Sequence, residues 1–519
     1  MFSLFRKPKA NIGKAPKAAE IAASAPEPGK ELGQRVQWFE ERLDNCVDAV
    51  FRTFTGAGGQ QYALVFLGGI ADLELLQEDL INPLTREDSR DKGATGPEAD
   101  FSRLLITSCN VSGDYEEVMQ YVLEGAVLLI IDGEDRMICY PYARFEKRSI
   151  GEAQNEVVIR GSREAFVEEV RTNVTMLRRR IKSPGLKVQS TYIGRHTRTE
   201  VLVIHLEGIC RPELVEEVHH RLSKIEIDGV LESSYLEEFI EDHPYSPFPQ
   251  IQNTERPDTA AAALLEGRIV ILTDGTPIAL IAPVTFPVFF QSPEDYYQRS
   301  YASTWIRWIR LLFMFVSLLA PSFYIALTTY HPEMIPASLL FSVAAAREPV
   351  PFPALFEAFI MEIVFEGLRE ASIRIPSAIG QAVSILGTLV IGEAAVRAGI
   401  VSSPMVIIVS LTGISSFIVP SYSLGLTLRL IRFPIMLLSG SFGLLGLSIG
   451  IYLVLLHLVV LSSFGVPYLA PIAPLKWKDI KDTLTRAPWR LMKTRPSVYG
   501  MEPTRRLKTI LHNDGDDRD

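Results

Sequence analysis

The sequence has 519 residues, with 52 Lys and Arg against 61 Asp and Glu for a formal net charge of −9, and it is 47% hydrophobic. This length predicts two or three domains, and the slight acidity argues against a nucleic-acid-binding protein, which needs a basic face. Residues 311–475 contain only 13 charged side chains and no lysine, which excludes a purely soluble chain.

The N-terminal part predicts a tail and one small domain. Residues 1–30 are rich in Ala, Pro and Lys with few large apolar side chains, which indicates a disordered basic tail. Residues 31–145 are predicted to form a cytoplasmic α/β domain, because no apolar stretch of secretory-signal length precedes them. Its expected elements are helices at Val36–Phe54 and Tyr115–Leu123 and strands at Tyr62–Leu67, Ala126–Ile131 and Met137–Tyr140.

A second cytoplasmic α/β domain is predicted over residues 150–290. Its pattern opens with a strand at Glu156–Arg160 and a helix at Arg163–Ile181. Strands then follow at Leu186–Ile193 and Thr199–His205, helices at Pro212–Ile225 and Tyr235–Ile240, and apolar runs at Arg268–Leu272 and Ile278–Ala282. The two soluble domains show no internal sequence repeat. The predicted fold class is therefore an α/β soluble N-terminal region of two mixed domains followed by an all-α transmembrane domain.

The membrane domain is predicted over residues 300–475. Leu311–Tyr330 is uncharged and long enough to cross a bilayer, whereas Met334–Ala346 is too short. Ile375–Val396 and Ile400–Tyr422 are long enough to cross. Phe433–Ser463 is overlong, so it must tilt or break, and the break is expected at its glycines Gly440, Gly443, Gly446 and Gly450.

The basic residues indicate the orientation. Residues 476–519 are predicted to be a cytoplasmic tail because Lys and Arg concentrate there, which requires an even number of crossings. Four or six crossings are allowed, and four full crossings with additional broken or interfacial segments are preferred. Aromatic residues before and at the first crossing suit the cytoplasmic interface, namely Tyr296, Tyr297, Trp305 and Trp308.

An ionic stripe interrupts the apolar sequence after Pro353. It comprises Glu357, Glu362, Glu366, Arg369, Glu370 and Arg374. All but Glu357 lie within about 140° of one another on a helix, so they form one face. Glu366–Arg369 and Glu370–Arg374 have the spacing of helical ion pairs, which leaves Glu362 and Glu357 over. Charges at membrane depth mark functional sites by default, and the alternative is an amphipathic helix lying in the headgroup region.

Small residues recur every four positions before Glu393, which is itself a candidate ion-path residue. They are Gly380, Ser384, Thr388 and Gly392, and a second such pair is Gly446 and Gly450. This spacing is typical of close helix packing, either within one chain or between copies.

No catalytic residue, metal site or cofactor is predicted. The sequence contains no nucleophile elbow, P-loop or dinucleotide fingerprint. The cysteines Cys46, Cys109, Cys139 and Cys210 lie far apart without metal-ligand spacing, so they are expected to be reduced and packed.

Several short motifs occur in a fixed order along the chain. The soluble motifs are residues 160–166 (RGSREAF), 254–258 (TERPD), 265–268 (LEGR), 274–277 (DGTP) and 291–297 (QSPEDYY). The helical and C-terminal motifs are residues 368–371, 375–376, 379–380, 391–395, 478–483 and 486–489. Together these motifs resemble the GerA-type spore germination proteins, the A subunits of nutrient germinant receptors. Where related sequences often have Gly before Phe166, this chain has Ala165.

The resemblance implies an integral protein of the inner spore membrane whose N- and C-terminal regions face the spore core. It also implies a transporter-like B subunit and a lipoprotein C subunit as partners, and homo-oligomerisation. The apolar region predicts contact with membrane lipids, and the acidic composition predicts no nucleic-acid partner. In that family, nutrient binding triggers ion release, and members are thought to form a ligand-gated cation channel.

Three functional hypotheses follow. The leading one is a receptor subunit that lines an ion path, in which carboxylates from several copies form a ring, with Glu362 and Glu366 the best candidates. The alternatives are a secondary transporter of a small substrate or ion, and a non-conducting membrane scaffold.

Overall fold

The computed structural model describes residues 29–56, 59–85, 109–143, 153, 156, 158–374 and 392–501. The chain forms two compact units. The first comprises residues 1–148, 174–189 and 206–208, and the second comprises residues 149–173, 190–205 and 209–519.

A five-stranded antiparallel sheet organises the first unit, in the order β1-β2-β4-β5-β3. Its strands are β1 (Ala49–Thr55), β2 (Gln61–Leu67), β3 (Asn110–Ser112), β4 (Val127–Ile131) and β5 (Met137–Tyr140). Helices α1 (Leu32–Arg42) and α2 (Tyr115–Leu123) cover one face, where Phe39 and Val122 pack with Leu128. Three short helical pieces follow β2, at Leu73–Leu75, Leu76–Ile81 and Asn82–Thr85.

The helix expected over Val36–Phe54 is wrong in its second half. The helix ends at Arg42, and Asn45 adopts a positive φ of 57° in the turn that follows. Ala49–Thr55 is instead a strand that pairs with β2 along its full length. The Val, Phe and Thr side chains of this segment favour a pleated strand, and the partner strand satisfies their backbone groups.

The second sheet repeats the topology of the first, which the sequence did not indicate. Its order, β6-β7-β9-β10-β8, again places the third strand at the edge beside the fifth. The strands are β6 (Leu186–Ile193), β7 (Thr199–Leu206), β8 (Gln252–Thr254), β9 (Ile269–Thr273) and β10 (Ala279–Ala282). The accompanying helices are α3 (Val170–Arg180), α4 (Pro212–Ser223), α5 (Ser233–Ile240) and α6 (Pro257–Leu265).

Two expectations for the start of this domain are wrong. Val158–Arg160 are not in a strand, and the helix expected from Arg163 begins only at Val170. The backbone N–H of Phe166 donates to the carbonyl of Glu255 at 2.8 Å, and the Arg256 side chain donates to the carbonyl of Ser162 at 2.8 Å. The backbone groups that would form helical hydrogen bonds in a longer helix are thus hydrogen-bonded to other segments of the chain.

The C-terminal half is helical. Its helices are α7 (Ser300–Tyr330), α8 (Ala337–Arg347), α9 (Ala354–Arg374), α10 (Ser403–Ile418) and α11 (Tyr422–Val460). Among the described residues, α7 and α11 are long and apolar enough to cross a membrane. The expected α/β and all-α fold class is confirmed. The crossing expected over Ile375–Val396 lies largely outside the described residues.

Helix α10 is shorter than the stretch Ile400–Tyr422 that predicts it. It has 16 residues, with Pro404 in its first turn, and it ends at Ile418. Proline at position 420 disfavours helical backbone at the residue before it, Val419, and so limits the helix there.

The segment α11 consists of two helical arms. The chain reverses direction between them at Gly443, where φ is 62° and ψ is −139°. A Cβ on Gly446 would lie 1.9 Å from the carbonyl oxygen of Leu438, and a Cβ on Gly450 would lie 3.2 Å from Ile435. Residues 8 and 15 positions apart touch only if the arms run antiparallel. The break expected among the glycines of this segment is confirmed.

Candidate ion-pair network in the apolar helices

Helix α9 carries the predicted ionic stripe into the interior of the helical half. It starts directly after Pro353, whose carbonyl accepts from the N–H groups of Phe356 and Glu357. Ala354, Ala358 and Met361 are buried on its inner side. Since Glu357 and Glu362 share that side, both carboxylates are buried among neighbouring helices.

Glu357 is fully buried at the first turn of α9. One carboxylate oxygen accepts from the backbone N–H of Ser402 at 2.9 Å and from its hydroxyl at 2.7 Å. The other lies 3.4 Å from Nε of Arg347, the last residue of α8. This carboxylate therefore joins α8, α9 and the start of α10.

Glu362 forms the most buried ion pair of this network. Its Oε2 lies 2.6 Å from Nη1 of Arg432 on α11, and the two residues are 3% and 2% exposed. Arg432 also donates from Nη2 to the Ser317 hydroxyl on α7 at 3.2 Å. Three helices thus meet at one charge pair.

The outer end of the stripe is more open. Glu366 pairs with Arg369 on its own helix and lies 3.7 Å from Nε of Arg429 on α11. Arg369 lies over the ring of Phe417 at 5.8 Å. The remaining pairs, Glu370–Arg374 at 2.6 Å and Glu393–Arg397 at 2.5 Å, are exposed.

Both local pairs expected from spacing, Glu366–Arg369 and Glu370–Arg374, are present. The two carboxylates left over have cationic partners on other helices, Arg347 and Arg432, which sequence reasoning did not identify. A signal existed, because residues 311–475 contain seven Glu and six Arg as their only charged residues. Charges at membrane depth pair with one another. Nearly equal numbers of Glu and Arg in this region therefore indicate that these residues form ion pairs with each other.

Each carboxylate in the interior of the network has at least one cationic partner. Three buried or half-buried carboxylates (Glu357, Glu362 and Glu366) meet four guanidinium groups (Arg347, Arg369, Arg429 and Arg432). Within the described part of the chain, no group of His, Cys, Asp and Glu could hold a metal ion. The arrangement can lock helices together electrostatically.

Three of the small residues predicted for close helix packing lie in the described part of the chain, and the other three do not. Gly446 and Gly450 lie between the arms of the α11 hairpin, and a Cβ on Gly392 would lie 3.7 Å from Val406 of the same chain. Gly380, Ser384 and Thr388 lie outside the described residues.

A second buried cluster joins the α/β part of the second unit to α7. Asp295, 2% exposed, accepts from Arg307 at 2.9 Å and from Arg310 at 2.8 Å. Arg307 also donates to the backbone carbonyl of Asp482 at 2.8 Å, and the Tyr296 hydroxyl donates to the Asp482 carboxylate at 3.1 Å. Burial is the main cause that raises the pKa of Tyr296, and the negative charge of the nearby Asp482 raises it further. Tyr296 is therefore hydrogen-bonded to the segment that follows the last helix, and its expected place at the membrane interface stays a prediction.

Neighbouring motif residues extend this cluster. The Tyr297 hydroxyl donates to Asp258 at 2.6 Å. Arg256 pairs with Asp258 at 2.7 Å. Glu156, whose carboxylate accepts from Thr254 at 2.6 Å, has its pKa raised to about 7 by burial. The motifs at residues 160–166, 254–258 and 291–297 thus converge on one buried region.

Comparison with known proteins gives a consistent result. The family model described as Bacillus/Clostridium GerA spore germination protein matches residues 37–498. An uncharacterized membrane protein of Bacillus subtilis, YfkQ, is 47% identical over 88% of this chain and 89% of its own length. Spore germination protein KA of Bacillus subtilis is 44% identical over 91% of this chain and 87% of its own length.

One further relative and one solved structure also match this chain. Spore germination protein B1 of Bacillus subtilis is 37% identical over 90% of this chain and 97% of its own length. Among solved structures, the N-terminal domain of the A subunit of the Bacillus megaterium spore germinant receptor GerK3 is 33% identical, with a TM-score of 0.40 over 51% of this chain and 98% of that chain.

Proposed function

The chain belongs to the GerA family of spore germination proteins, and from this premise we propose that it is a nutrient receptor subunit that oligomerises into a ligand-gated cation channel. The single observation that carries the proposal is the family match over residues 37–498, supported by germination proteins that align over most of their length. The family is one of germination receptor subunits and is not a known enzyme family. We place the protein in the inner spore membrane beside B and C subunits.

The arrangement of helix ends supports a membrane domain with six crossings. The helical half has two ends, which we call the near level and the far level. The near level is the end at which α11 contacts the α/β part of its unit. There, the hydroxyl of Ser246 lies 2.9 Å from His457 and the amide of Asn253 donates to Ser423 at 3.4 Å. The far level is the bend of α11, where the Tyr330 hydroxyl donates to the carbonyl of Gly440 at 3.0 Å. Helix α7 therefore runs from the near level to the far level.

Helices α9 and α10 both start at the far level. Leu355 lies against Gly440, and Glu357 binds Ser402. Arg369 lies over Phe417 farther along, so the two helices run in the same direction. The connection between Arg374 and Ser402 thus begins and ends at opposite levels. We propose that the chain crosses once more between them, which with α7, α9, α10 and the two α11 arms makes six crossings, an even number as the basic C-terminal tail requires.

The ionic stripe supports separate roles for its carboxylates. Glu362 is compensated and nearly inaccessible, so we assign it to a lock among α7, α9 and α11. Glu366 has a side chain that is 38% exposed, and Glu370 and Glu393 are more exposed. These three carboxylates are available to face water between copies, where a ring would attract cations.

Reconstitution tests this proposal. The chain is placed in vesicles with and without its partner subunits, and cation flux is measured as nutrient is added. We expect nutrient-dependent electrical current only with the partners present, and Glu366→Gln is expected to lower the preference for cations over anions. Flux coupled to a co-transported substrate would identify a transporter, and no flux under any condition would identify a scaffold.

A further inference from the structure

An exposed apolar surface follows the second arm of α11. We call residues 472–493 the strap. Its exposed apolar side chains are Ile472, Leu475, Trp477, Leu484, Trp489 and Leu491. Trp477 is 77% exposed and Leu491 is 60% exposed, which in water is unfavourable for side chains of this size.

The strap lies along the first turns of α7. Trp308 donates from its indole nitrogen to the carbonyl of Leu484 at 3.1 Å. The backbone N–H of Arg486 donates to the Thr304 hydroxyl at 3.0 Å. On the same helix, Tyr301 is 87% and Trp305 is 63% exposed. These α7 residues and the strap thus form one apolar and aromatic surface.

This surface lies at the depth of lipid headgroups. Helix α7 has 31 residues, about 46 Å in length, whereas the hydrocarbon core is ~30 Å thick. Its uncharged part starts at Leu311, so its first turns extend beyond the core on the near side. Four of the five tryptophans of the chain, all except Trp38, lie on this surface. Tryptophan is enriched at membrane interfaces, where its apolar ring and its N–H group are both satisfied.

The strap also carries unpaired positive charge. In the described part of the chain, Lys476, Lys478, Arg490 and Lys493 have no carboxylate within ion-pair distance. The acids of the strap are engaged elsewhere. Asp479 accepts from the hydroxyl of Ser497 at 2.7 Å, and Asp482 pairs with Arg307 at 3.3 Å.

We propose that the strap and the first turns of α7 form a binding surface for anionic phospholipid headgroups. Its apolar side chains enter the boundary between headgroups and acyl chains, and its basic side chains contact phosphate groups. Continuity with the near ends of the membrane helices and charge complementarity both favour a lipid leaflet as the occupant. Each basic residue near an anionic leaflet raises affinity roughly fivefold.

Fluorescence quenching tests the apolar half of this proposal. The full chain with Trp38→Phe is reconstituted in vesicles whose lipids carry bromine near the headgroup end of the acyl chains. It is compared with the same protein that also carries Trp477→Phe and Trp489→Phe, which keeps the Trp308 contact. We expect the emission lost with these two residues to be strongly quenched. Emission from Trp477 and Trp489 that brominated lipid does not quench would overturn the proposal.

Lipid selectivity tests the charged half. The full chain is purified from a mixture of phosphatidylglycerol and phosphatidylcholine, and bound lipids are counted by mass spectrometry. Replacing Lys476, Lys478, Arg490 and Lys493 by Gln should lower the phosphatidylglycerol preference at least about tenfold. The matched control replaces four exposed basic residues of the α/β part by Gln, namely Arg160, Arg195, Arg198 and Lys224, and should retain the preference. An unchanged preference in the strap variant would refute the assignment.

Discussion

Single residues decide how charge is tolerated among the apolar helices. The Glu362 and Arg432 side chains each offset part of the other's cost of burial, and Ser317 satisfies one further donor. Such a pair contributes little net stability compared with apolar residues of the same volume, but it makes the loss of one partner costly. Its most direct consequence is geometric, because it requires α7, α9 and α11 to lie at fixed depths relative to one another.

Replacing Arg432 by Met is expected to destabilise the protein by about 3–5 kcal/mol, because it leaves the Glu362 carboxylate buried without a partner. Replacing Glu362 by Leu in the same protein should recover most of that loss. Thermal unfolding in detergent of the two single variants and the double variant measures the coupling energy. The matched control is the exposed pair, with Glu393→Gln and Arg397→Gln, for which coupling should stay within ~0.5 kcal/mol. Additive losses at Glu362 and Arg432 would show that the pair is not coupled.

Glu156 predicts a pH dependence of stability. Its folded-state pKa of about 7 lies above the unfolded value, so the folded state favours the protonated carboxyl. The stability that protonation provides is complete below pH 4.5 and is lost as the pH rises through 7. Glu156→Gln should therefore lose less stability than the unmodified protein as the pH rises to 7, and it should be more stable there by on the order of 2 kcal/mol. Chemical unfolding at several pH values measures this difference, and the two proteins should coincide near pH 4. Equal pH dependence of both would contradict the raised pKa.

Among the elements, the hairpin of α11 depends on a glycine. Gly443 adopts a backbone conformation that L side chains rarely take, and a Cβ there would lie 2.9 Å from that of Tyr330. Each arm is about as long as a hydrocarbon core is thick, because 21 and 17 residues span roughly 31 and 26 Å. The reversal therefore makes each arm of the segment Tyr422–Val460 long enough to cross a membrane by itself.

Gly443→Ala is expected to destabilise the helical half by about 1–3 kcal/mol, through backbone strain and the clash with Tyr330. The matched control is Gly413→Ala in α10, where a Cβ would make an ordinary 3.7 Å contact with Phe365. That substitution should be neutral or slightly stabilising, since alanine favours helix. Thermal unfolding of both variants in detergent measures the contrast, and equal stability would mean that the bend does not need glycine.

At the scale of the whole molecule, the direction of each helix decides the topology. The proposed six crossings would place the end of α9 on the same side as the α/β part of the second unit. An amphipathic α9 lying among far-side headgroups would place it on the opposite side. The observed contacts of Leu355 with Gly440 and of Arg369 with Phe417 favour the first arrangement.

Cysteine labelling distinguishes these arrangements. In a protein whose four native cysteines are replaced, Ala371→Cys at the exposed end of α9 should react with a membrane-impermeant reagent only from the side of the α/β part of the second unit. Ser338→Cys in α8 should react only from the opposite side, and it is the control for sidedness. Labelling of both positions from the same side would rule out six crossings.

The sequence by itself determined the fold class, the family, the break in the last apolar segment and the local pairs Glu366–Arg369 and Glu370–Arg374. These features depend on composition, ordered motifs or spacing within one helix, which residues a few positions apart specify.

Only the tertiary structure decided the partners of Glu357 and Glu362, the strand at Ala49–Thr55, the late start of α3 and the repeated sheet topology. Arg432 lies 70 positions from Glu362, and the Glu255 carbonyl that accepts from Phe166 lies 89 positions from it along the chain. The physical reason is that a buried charge or backbone group takes whichever partner packing brings near it. Sequence separation carries no information about that partner.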